Sequence, residues 1–377
     1  MAALEISRYR ILSSTAGVRV SPLQLGTMSL GGAWSEAMPS ANREDSFKLL
    51  DAYTAAGGNF IDTANNYQNE NSERFLGEWM QERKNRDMLV IATKYTLAYK
   101  LYEQGPGIGV NHSGNHRRSL HMSVRDSLKK LQTEWIDILY LHMWDWSTSI
   151  PEIMDSLHNL VLQGKVLYLG ASDTPAWVVS AANEYAMTRG KTPFSIYQGK
   201  WSILERDFER DIIPMARHYG MALAPWGVLG GGRLQSKEAI QERRKAGEHI
   251  RNQTGDGEEQ TWIEAAVSEV LSEVAKQHGD HVTVTAVALA YVFHKAGRVF
   301  PIVGGRKVEH LKDNLCGLEL SLTLEQVQRL EGVVPFNVGF PLNFIGQDSN
   351  VTGKTTPFID TAAEISWETG PKPLAEP

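Results

Sequence analysis

Cysteine is nearly absent from this chain of 377 residues, which contains Cys316 alone. A single thiol cannot form an intramolecular disulfide, and it excludes metal sites that are built from several cysteines. Long apolar runs are missing too, because no stretch reaches about 18 consecutive apolar residues, and the first residues, 1–14, carry no apolar signal segment. We therefore expect a cytoplasmic protein that does not bind a membrane.

An excess of positive charge is also missing. The chain has 38 basic and 44 acidic residues, which gives a net charge of −6. Its apolar content of 42% and charged content of 22% are ordinary for a soluble globular protein. This balance argues against nucleic acid or an anionic membrane as the main partner, while it allows a local basic pocket for a phosphate.

Short apolar runs alternate about eight times with segments of helical periodicity. The predicted strands are 23–27, 59–62, 88–94, 136–142, 166–172, 195–199, 221–226 and 299–304. The predicted helices are 44–56, 72–83, 119–131, 151–162, 175–189, 207–219, 261–277, 284–295, 308–315 and 324–330. This alternation predicts an α/β fold with parallel strands. Eight units favour a closed (β/α)8 TIM barrel over a doubly wound sheet, for which the Gly-x-Gly-x-x-Gly motif after the first strand is missing.

The chain is longer than the roughly 250 residues that a barrel needs. We predict one domain, with a β-hairpin at 10–21 before a barrel core at about 20–334. The surplus lies in three places: a long loop at 95–117, a charged insertion at 237–259 that is predicted to be an exposed loop or lid, and a proline-rich tail at 335–377 that is predicted to wrap the surface or to be partly disordered. Loops of this length are often functional.

Four polar residues, Asp62, Tyr67, Lys94 and His142, lie at or just beyond the ends of three predicted strands. In a parallel barrel these strand ends converge on one mouth, where the chemistry takes place. Each residue alone has an ordinary structural explanation: a surface aromatic, an ion pair or a buried histidine. Together they favour a group of proton donors.

The order and spacing of these residues resemble those of the aldo-keto reductases. The matching motifs span about 23–318 and are residues 58–64 (Gly-Asn-Phe-Ile-Asp-Thr-Ala), Tyr67, 72–77, 92–94, 141–142, 170–172, Gln198 and 301–314. The loop at 114–118, the run at 127–133 and the long tail resemble the fungal aryl-alcohol dehydrogenase branch. That branch includes norsolorinic acid reductase-like enzymes of polyketide pathways.

The resemblance implies reversible hydride transfer between NADP(H) and an aromatic aldehyde, ketone or alcohol, in fungal secondary metabolism or aromatic alcohol metabolism. Tyr67 would donate the proton, and Lys94, held by Asp62, would lower the pKa of Tyr67. His142 would hydrogen-bond the carbonyl oxygen or pass a proton to Tyr67. A phenol pKa lowered by three units corresponds to about 4 kcal/mol, which a charge at ~4 Å supplies at an effective dielectric near 20.

The resemblance also implies a set of cofactor contacts. Asp62 would lie beside the nicotinamide, and the other positions are Gly26 and Thr27 for the ribose; Ser172, Asp173 and Gln198 for the carboxamide; Trp226 for stacking; Gly227, Leu229 and Gly231 for the pyrophosphate; and Gly304, Arg306, His310, Asp313 and Asn314 for the adenosine end. Asp173 replaces the usual asparagine, and His310 replaces an arginine or glutamine of many relatives. No metal is expected.

Aromatic residues are predicted to line the substrate mouth, namely Trp34, Tyr95 and Trp144, with Tyr67, Trp146 and Trp201 as further candidates. Two other functions are compatible with the sequence. A glycoside hydrolase would need two carboxylates, such as Asp62 and Asp145, but Lys94 would keep Asp62 ionised. An NADPH-binding regulatory or channel-associated subunit would bind the cofactor tightly and turn over slowly. The oligomeric state is not predicted.

We expect Arg306→Ala to weaken NADPH binding much more than NADH binding, because the guanidinium would pair with the 2′-phosphate that only NADPH carries. Fluorescence titration of both nucleotides measures the two dissociation constants. Equal weakening of both would contradict the phosphate role.

Overall fold

Eight parallel strands form the centre of the computed structural model, which describes residues 5–36, 38, 40–245, 260–305, 307–363 and 365–367. They are β3 (Gln24–Gly26), β4 (Phe60–Asp62), β5 (Val90–Tyr95), β6 (Ile136–Leu141), β7 (Val166–Ser172), β8 (Phe194–Lys200), β9 (Ala222–Trp226) and β10 (Ile302–Gly304). From β3 to β9 each strand pairs with the next one along the chain, and β10 pairs with β3.

Two backbone hydrogen bonds bring the ends of this sheet together. The Leu223 N–H donates to the Arg298 carbonyl at 2.9 Å, and the Phe300 N–H donates to the Leu223 carbonyl at 2.8 Å. They join β9 to the segment that leads into β10, so the sheet curves back on itself. The predicted (β/α)8 barrel is confirmed, and the carboxyl ends of its strands meet at one mouth.

Helices follow most of the strands and cover the barrel. They are α1 (Arg43–Ala55), α2 (Asn71–Arg83), α3 (Leu101–Gln104), α4 (Arg117–Leu131), α5 (Ile150–Leu162), α6 (Ala176–Thr188), α7 (Ile212–His218), α8 (Lys237–Lys245), α9 (Trp262–His278), α10 (Val284–Lys295), α11 (Val308–Cys316) and α12 (Leu324–Val333). Side-chain caps explain several starts. Thr261 and Glu264 form a capping box at α9, and Thr323 and Gln326 form one at α12.

A short antiparallel hairpin, β1 (Arg10–Ile11) and β2 (Arg19–Val20), precedes the barrel as predicted. Its Leu12 and Val20 are fully buried in the apolar cluster inside the barrel, together with Phe60 and Phe300. The hairpin therefore fills the end of the barrel opposite the mouth. A second, larger apolar cluster lies between the strands and the surrounding helices.

Two surplus segments differ from the prediction. The insertion at 237–259, expected to be an exposed loop or lid, begins with the helix α8, because its polar residues include good helix formers such as Glu, Gln, Arg and Lys. Residues 246–259 lie outside the described part. The tail adds α13 (Leu342–Ile345), α14 (Ser349–Thr352) and α15 (Pro357–Asp360). The Arg210 guanidinium holds the tail by donating to the carbonyls of Asn337 and Val338. Among the described helices, none combines the length and apolar character needed to cross a membrane.

Gly77 permits the close approach of α2 and α4. A Cβ placed there would lie 2.1 Å from the backbone oxygen of Lys130. We expect Gly77→Ala to lower the free energy of unfolding by about 1–3 kcal/mol, since the two helices must move apart. The matched control is Gly332→Ala in α12, where a Cβ would meet no atom within 4 Å and helix propensity predicts a small gain. Denaturant unfolding measures both, and an unchanged stability for Gly77→Ala would contradict the close packing.

Candidate active site

The four polar residues predicted at strand ends lie together at the mouth of the barrel. Asp62 ends β4, Lys94 is the next-to-last residue of β5, and His142 directly follows β6. These three side chains are buried, and Tyr67, in the loop after β4, is half-buried. The Tyr67 and His142 rings meet edge to face with their centroids 5.9 Å apart. The barrel topology thus brings together groups that are up to 80 positions apart in the chain, from Asp62 to His142.

Lys94 makes the central contacts of this group. Its Nζ donates to Asp62 Oδ1 at 2.5 Å, to the Thr63 carbonyl at 2.8 Å and to the Tyr67 hydroxyl at 3.3 Å. Gln198 Nε2 donates to the other carboxylate oxygen of Asp62 at 2.9 Å. Burial alone would lower the pKa of Lys94, but Asp62 and Tyr67 overcome this effect and raise the pKa above its ordinary value. The ammonium therefore keeps its proton.

The two proton-bearing rings remain neutral in this environment. Burial raises the pKa of the Tyr67 phenol, and the opposing effect of Lys94 does not reverse the rise. The lowered pKa of Tyr67 that the sequence led us to expect is therefore not found, because the desolvation of the phenol outweighs the charge of Lys94. Burial, reinforced by Lys94, holds the pKa of His142 well below its usual range. Within the described residues, His142 Nδ1 has no hydrogen-bond partner.

The loop that carries Tyr67 has an unusual backbone. Gln68, Asn69 and Glu70 have φ angles of 52°, 52° and 73°, a left-handed region that side chains rarely adopt. The Gln68 side chain donates to the Met28 carbonyl and accepts from the Trp34 backbone N–H, both at 2.9 Å. The Trp34 indole donates to Asn69 Oδ1 at 2.8 Å. These bonds join the loop to the segment after β3 and offset its strain.

A buried ionic network connects the same loop to α4, and it was not predicted from the sequence. Lys130 Nζ lies 3.0 Å from Glu70 Oε1 and 2.7 Å from Glu73 Oε2, and it donates to the Asn65 carbonyl at 2.9 Å. Thr93, which precedes Lys94 in the strand, donates to Glu73 at 2.5 Å. Helical periodicity offered a signal, because it places Glu73 and Lys130 on the inward faces of α2 and α4.

A cavity of about 600 Å³ extends from this group of residues across the mouth. Most of the predicted cofactor positions line it, namely Gly26, Thr27, Asp62, Ser172, Asp173, Gln198, Trp226, Gly227, Leu229, Gly231, Gly304, His310, Asp313 and Asn314. Arg306 lies outside the described residues. The cavity also has walls that the sequence did not indicate, including Asn66, Leu97, Lys200, Leu204, Glu205, Arg233 and Glu264. Lys200 ends β8, Glu264 lies in the first turn of α9, and the others lie in loops that follow strands.

Of the three predicted substrate residues, only Trp34 lines this cavity. Tyr95 is fully buried and donates its hydroxyl to the Asn115 carbonyl at 3.3 Å. Successive side chains of a strand point in opposite directions, so Tyr95 must face the helices if Lys94 faces the barrel interior. Trp144 borders a separate apolar gap beside Ile153 and Val178. The placement of Tyr95 and Trp144 at the mouth was therefore wrong.

The two remaining aromatic candidates also lie away from the cavity. Trp201 is buried and stacks on Phe208, and Trp146 is exposed beside Trp177. The tryptophan and tyrosine side chains that line the cavity are thus Trp34, Tyr67 and Trp226.

The far part of the cavity fits a dinucleotide. Gly227, Gly230, Gly231 and Gly232 have φ angles of 74°, 58°, 66° and 92°, so the loop after β9 adopts a left-handed backbone in which N–H groups can approach phosphate oxygens. Gly231 and Gly304 line the cavity, and a Cβ on either would meet no atom within 4 Å. Backbone therefore borders the cavity directly. Among the described residues, no group of three or more His, Cys, Asp or Glu side chains is arranged to hold a metal.

Comparison with known proteins matches residues 22–335 to the model of the aldo/keto reductase family. The probable aryl-alcohol dehydrogenase AAD4 of Saccharomyces cerevisiae is 62% identical, over 88% of this chain and 100% of that protein. The NADP(+) aryl-alcohol dehydrogenase of Phanerodontia chrysosporium is 52% identical, over 94% of each chain. The norsolorinic acid reductase of Aspergillus flavus is 52% identical, over 89% of this chain and 84% of that protein. The family resemblance inferred from the sequence is confirmed.

Lys94→Met should lower the free energy of unfolding by about 3–5 kcal/mol, because the Asp62 carboxylate then stays buried without its cation. The double variant Asp62→Asn/Lys94→Met should recover part of the loss. Denaturant unfolding of the single and double variants measures this coupling. Lys48→Met, at an exposed ion pair with Glu44, is the control and should change stability little. Strictly additive losses at Asp62 and Lys94 would contradict the pairing.

Proposed function

The chain belongs to the aldo/keto reductase family, and we propose that it interconverts aromatic aldehydes or ketones and the corresponding alcohols with NADP(H). The observation that carries this proposal is the convergence of Asp62, Tyr67, Lys94 and His142 at one end of a cavity that continues to Asn314. A proton donor thus lies at the end of a site long enough for a dinucleotide.

The reaction adds one hydride and one proton across the carbonyl bond. The hydride for the carbonyl carbon would come from a reduced nicotinamide cofactor when one is bound in the cavity. The Tyr67 hydroxyl donates its proton to the carbonyl oxygen, and the Lys94 ammonium, 3.3 Å away, stabilises the phenolate that forms. Solvent then returns a proton to Tyr67. In the oxidative direction, the phenolate of Tyr67 accepts the proton of the alcohol.

Asp62 and His142 have supporting roles in this mechanism. Asp62, fixed by Gln198, keeps Lys94 charged and aimed at Tyr67. His142, which stays neutral because burial lowers its pKa, can hydrogen-bond the substrate oxygen without adding a second positive charge beside Lys94. His142 lines the cavity together with Tyr67, so its ring lies within the site where the substrate would bind.

The cofactor assignment rests on the lining of the cavity and on one relative. Ser172, Asp173 and Gln198 would contact the carboxamide, Trp226 would stack on the nicotinamide, and the glycines after β9 would face the pyrophosphate. His310, Asp313 and Asn314 line the end where the adenosine would lie. A preference for NADP(H) over NAD(H) is supported by the name of the Phanerodontia chrysosporium relative and by the predicted contact of Arg306 with the 2′-phosphate.

An aromatic substrate fits the walls beside Tyr67. Met28, Trp34 and Leu97 line the cavity there, and the Trp34 ring meets the Tyr67 ring edge to face with centroids 6.3 Å apart. Flat apolar rings pack well against such walls. The names of the relatives support two settings, aromatic alcohol metabolism and the reduction of a polyketide-type ketone in secondary metabolism.

We expect Tyr67→Phe to lower kcat for aromatic aldehydes by about 10²–10⁴-fold, because it removes the proton donor, while the dissociation constant for NADPH stays nearly unchanged. Oxidation of NADPH, followed by its absorbance with aliphatic and aromatic aldehydes and with NADH in parallel, measures turnover. Tyr95→Phe is the matched control: it removes a hydroxyl that lies away from the cavity, and its kcat should stay close to that of the unmodified protein.

Two outcomes would contradict the proposal. Unchanged turnover of Tyr67→Phe would remove Tyr67 from the mechanism. Tight NADPH binding without turnover of any carbonyl in the panel would favour a cofactor-binding regulatory subunit instead.

A further inference from the structure

Asp173 places a second carboxylate in the part of the cavity that contains the proton donor. It follows the last residue of β7, lines the cavity with Tyr67 and Trp226, and its backbone N–H donates to the Gln198 carbonyl at 3.0 Å. Its φ angle is 41°, in the left-handed region that Asn and Asp tolerate better than most residues. The backbone thus places the Asp173 side chain at the wall of the cavity.

The charges around Asp173 do not balance. Lys94 is the cation that attracts Asp173, but Lys94 already forms its ion pair with Asp62 at 2.5 Å. The Trp226 indole, the other main contact, is neutral. Further along the cavity, Lys200 is paired with Glu205 at 2.7 Å. Around Tyr67, the described residues thus place two carboxylates against one ammonium.

This excess negative charge persists at neutral pH. Burial raises the pKa of Asp173 to about 6, against the lowering effects of the Trp226 hydrogen bond and of Lys94. A carboxylate with this pKa is mostly ionised at pH 7. The protein around Asp173 reduces its hydration, but the side chain remains exposed to the open cavity. Among the described residues it has no ion pair of its own, so a positively charged ligand in the cavity would stabilise the carboxylate.

The nicotinamide ring is such a ligand in only one of its two redox states. The oxidised ring carries a positive charge and the reduced ring is neutral, whereas the phosphates are the same in both forms. Hydride transfer requires the ring to lie next to the carbon whose oxygen Tyr67 protonates. A bound nicotinamide ring would therefore lie in the part of the cavity that Tyr67 and Asp173 line.

We propose that Asp173 makes the site selective for the redox state of the nicotinamide cofactor, binding the oxidised form more tightly than a neutral side chain at this position would. This inference rests on the proposed function, because it assumes that a nicotinamide nucleotide occupies the cavity. By linkage, a site that stabilises the oxidised form makes the bound cofactor a stronger hydride donor. Asp173 therefore shifts the reaction on the protein toward carbonyl reduction.

The test compares the dissociation constants of NADP+ and NADPH for the full chain and for Asp173→Asn at pH 8, measured by calorimetry without substrate. Asparagine keeps the size and the left-handed backbone preference of aspartate. We expect the ratio of Kd for NADP+ to Kd for NADPH to rise about tenfold or more in the variant, which for a two-electron couple corresponds to about 30 mV. Asp211→Asn, the same change at an exposed carboxylate outside the cavity, should leave the ratio unchanged.

A pH series of the unmodified protein tests the same inference without a variant. As the pH falls through about 6, Asp173 gains a proton and loses its charge. The ratio of Kd for NADP+ to Kd for NADPH should therefore rise in the unmodified protein. In Asp173→Asn the same ratio should not change with pH. The neighbouring groups do not mimic this step. The pKa values of Lys94, Tyr67 and Tyr197 are raised and that of His142 is lowered well below its usual range, while Asp62 remains paired with Lys94. The 2′-phosphate titrates near this pH, but it is common to both nucleotides and cancels in the ratio.

The outcomes separate the two proposals. If the unmodified protein binds neither nucleotide, the proposed function fails. If it binds both, and the ratio responds neither to Asp173→Asn nor to pH, the role of Asp173 is overturned. If Asp173→Asn does not fold, the pH series alone decides, and a flat ratio there overturns the role.

Discussion

The buried ion pair between Lys94 and Asp62 is the interaction on which the rest of the site depends. Two charges inside a barrel are tolerated only when they are paired and when their remaining hydrogen-bonding capacity is used. Gln198 and the Thr63 carbonyl complete that requirement. Three strands therefore have to converge correctly before the ammonium can reach Tyr67, so the same contacts that make the pair stable also place Lys94 beside the proposed proton donor.

Much of the fold was predictable from the sequence because its signals are local. Apolar runs, helical periodicity and turn residues recur in each β/α unit, and the ends of the strands identified Asp62, Lys94 and His142 as neighbours. The cavity-lining glycines after β9 could be located in the same way. Each of these signals is contained within about ten to fifteen consecutive residues.

The features that could not be predicted from the sequence depend on contacts between residues that are distant in the chain. The pairing of Lys130 with Glu70 and Glu73 spans α4 and α2, and the hydrogen bond from Gln198 to Asp62 joins two distant strands. Desolvation of Tyr67 is likewise a property of the assembled cavity. Tyr95 is the exception: its inward neighbour Lys94 was recognised, and strict alternation along β5 already required the tyrosine to face the helices.

The hairpin at the closed end of the barrel determines the route by which protons enter. Leu12 and Val20, packed with Phe60 and Phe300, leave an apolar layer beneath the ion pair, and such a layer does not conduct protons. In the proposed mechanism, each proton that Tyr67 gives up would then be replaced through the mouth, along the route that the substrate would also use. A substrate large enough to fill the space beside Trp34 would hold that route shut, which ties recovery of the phenol to departure of the product.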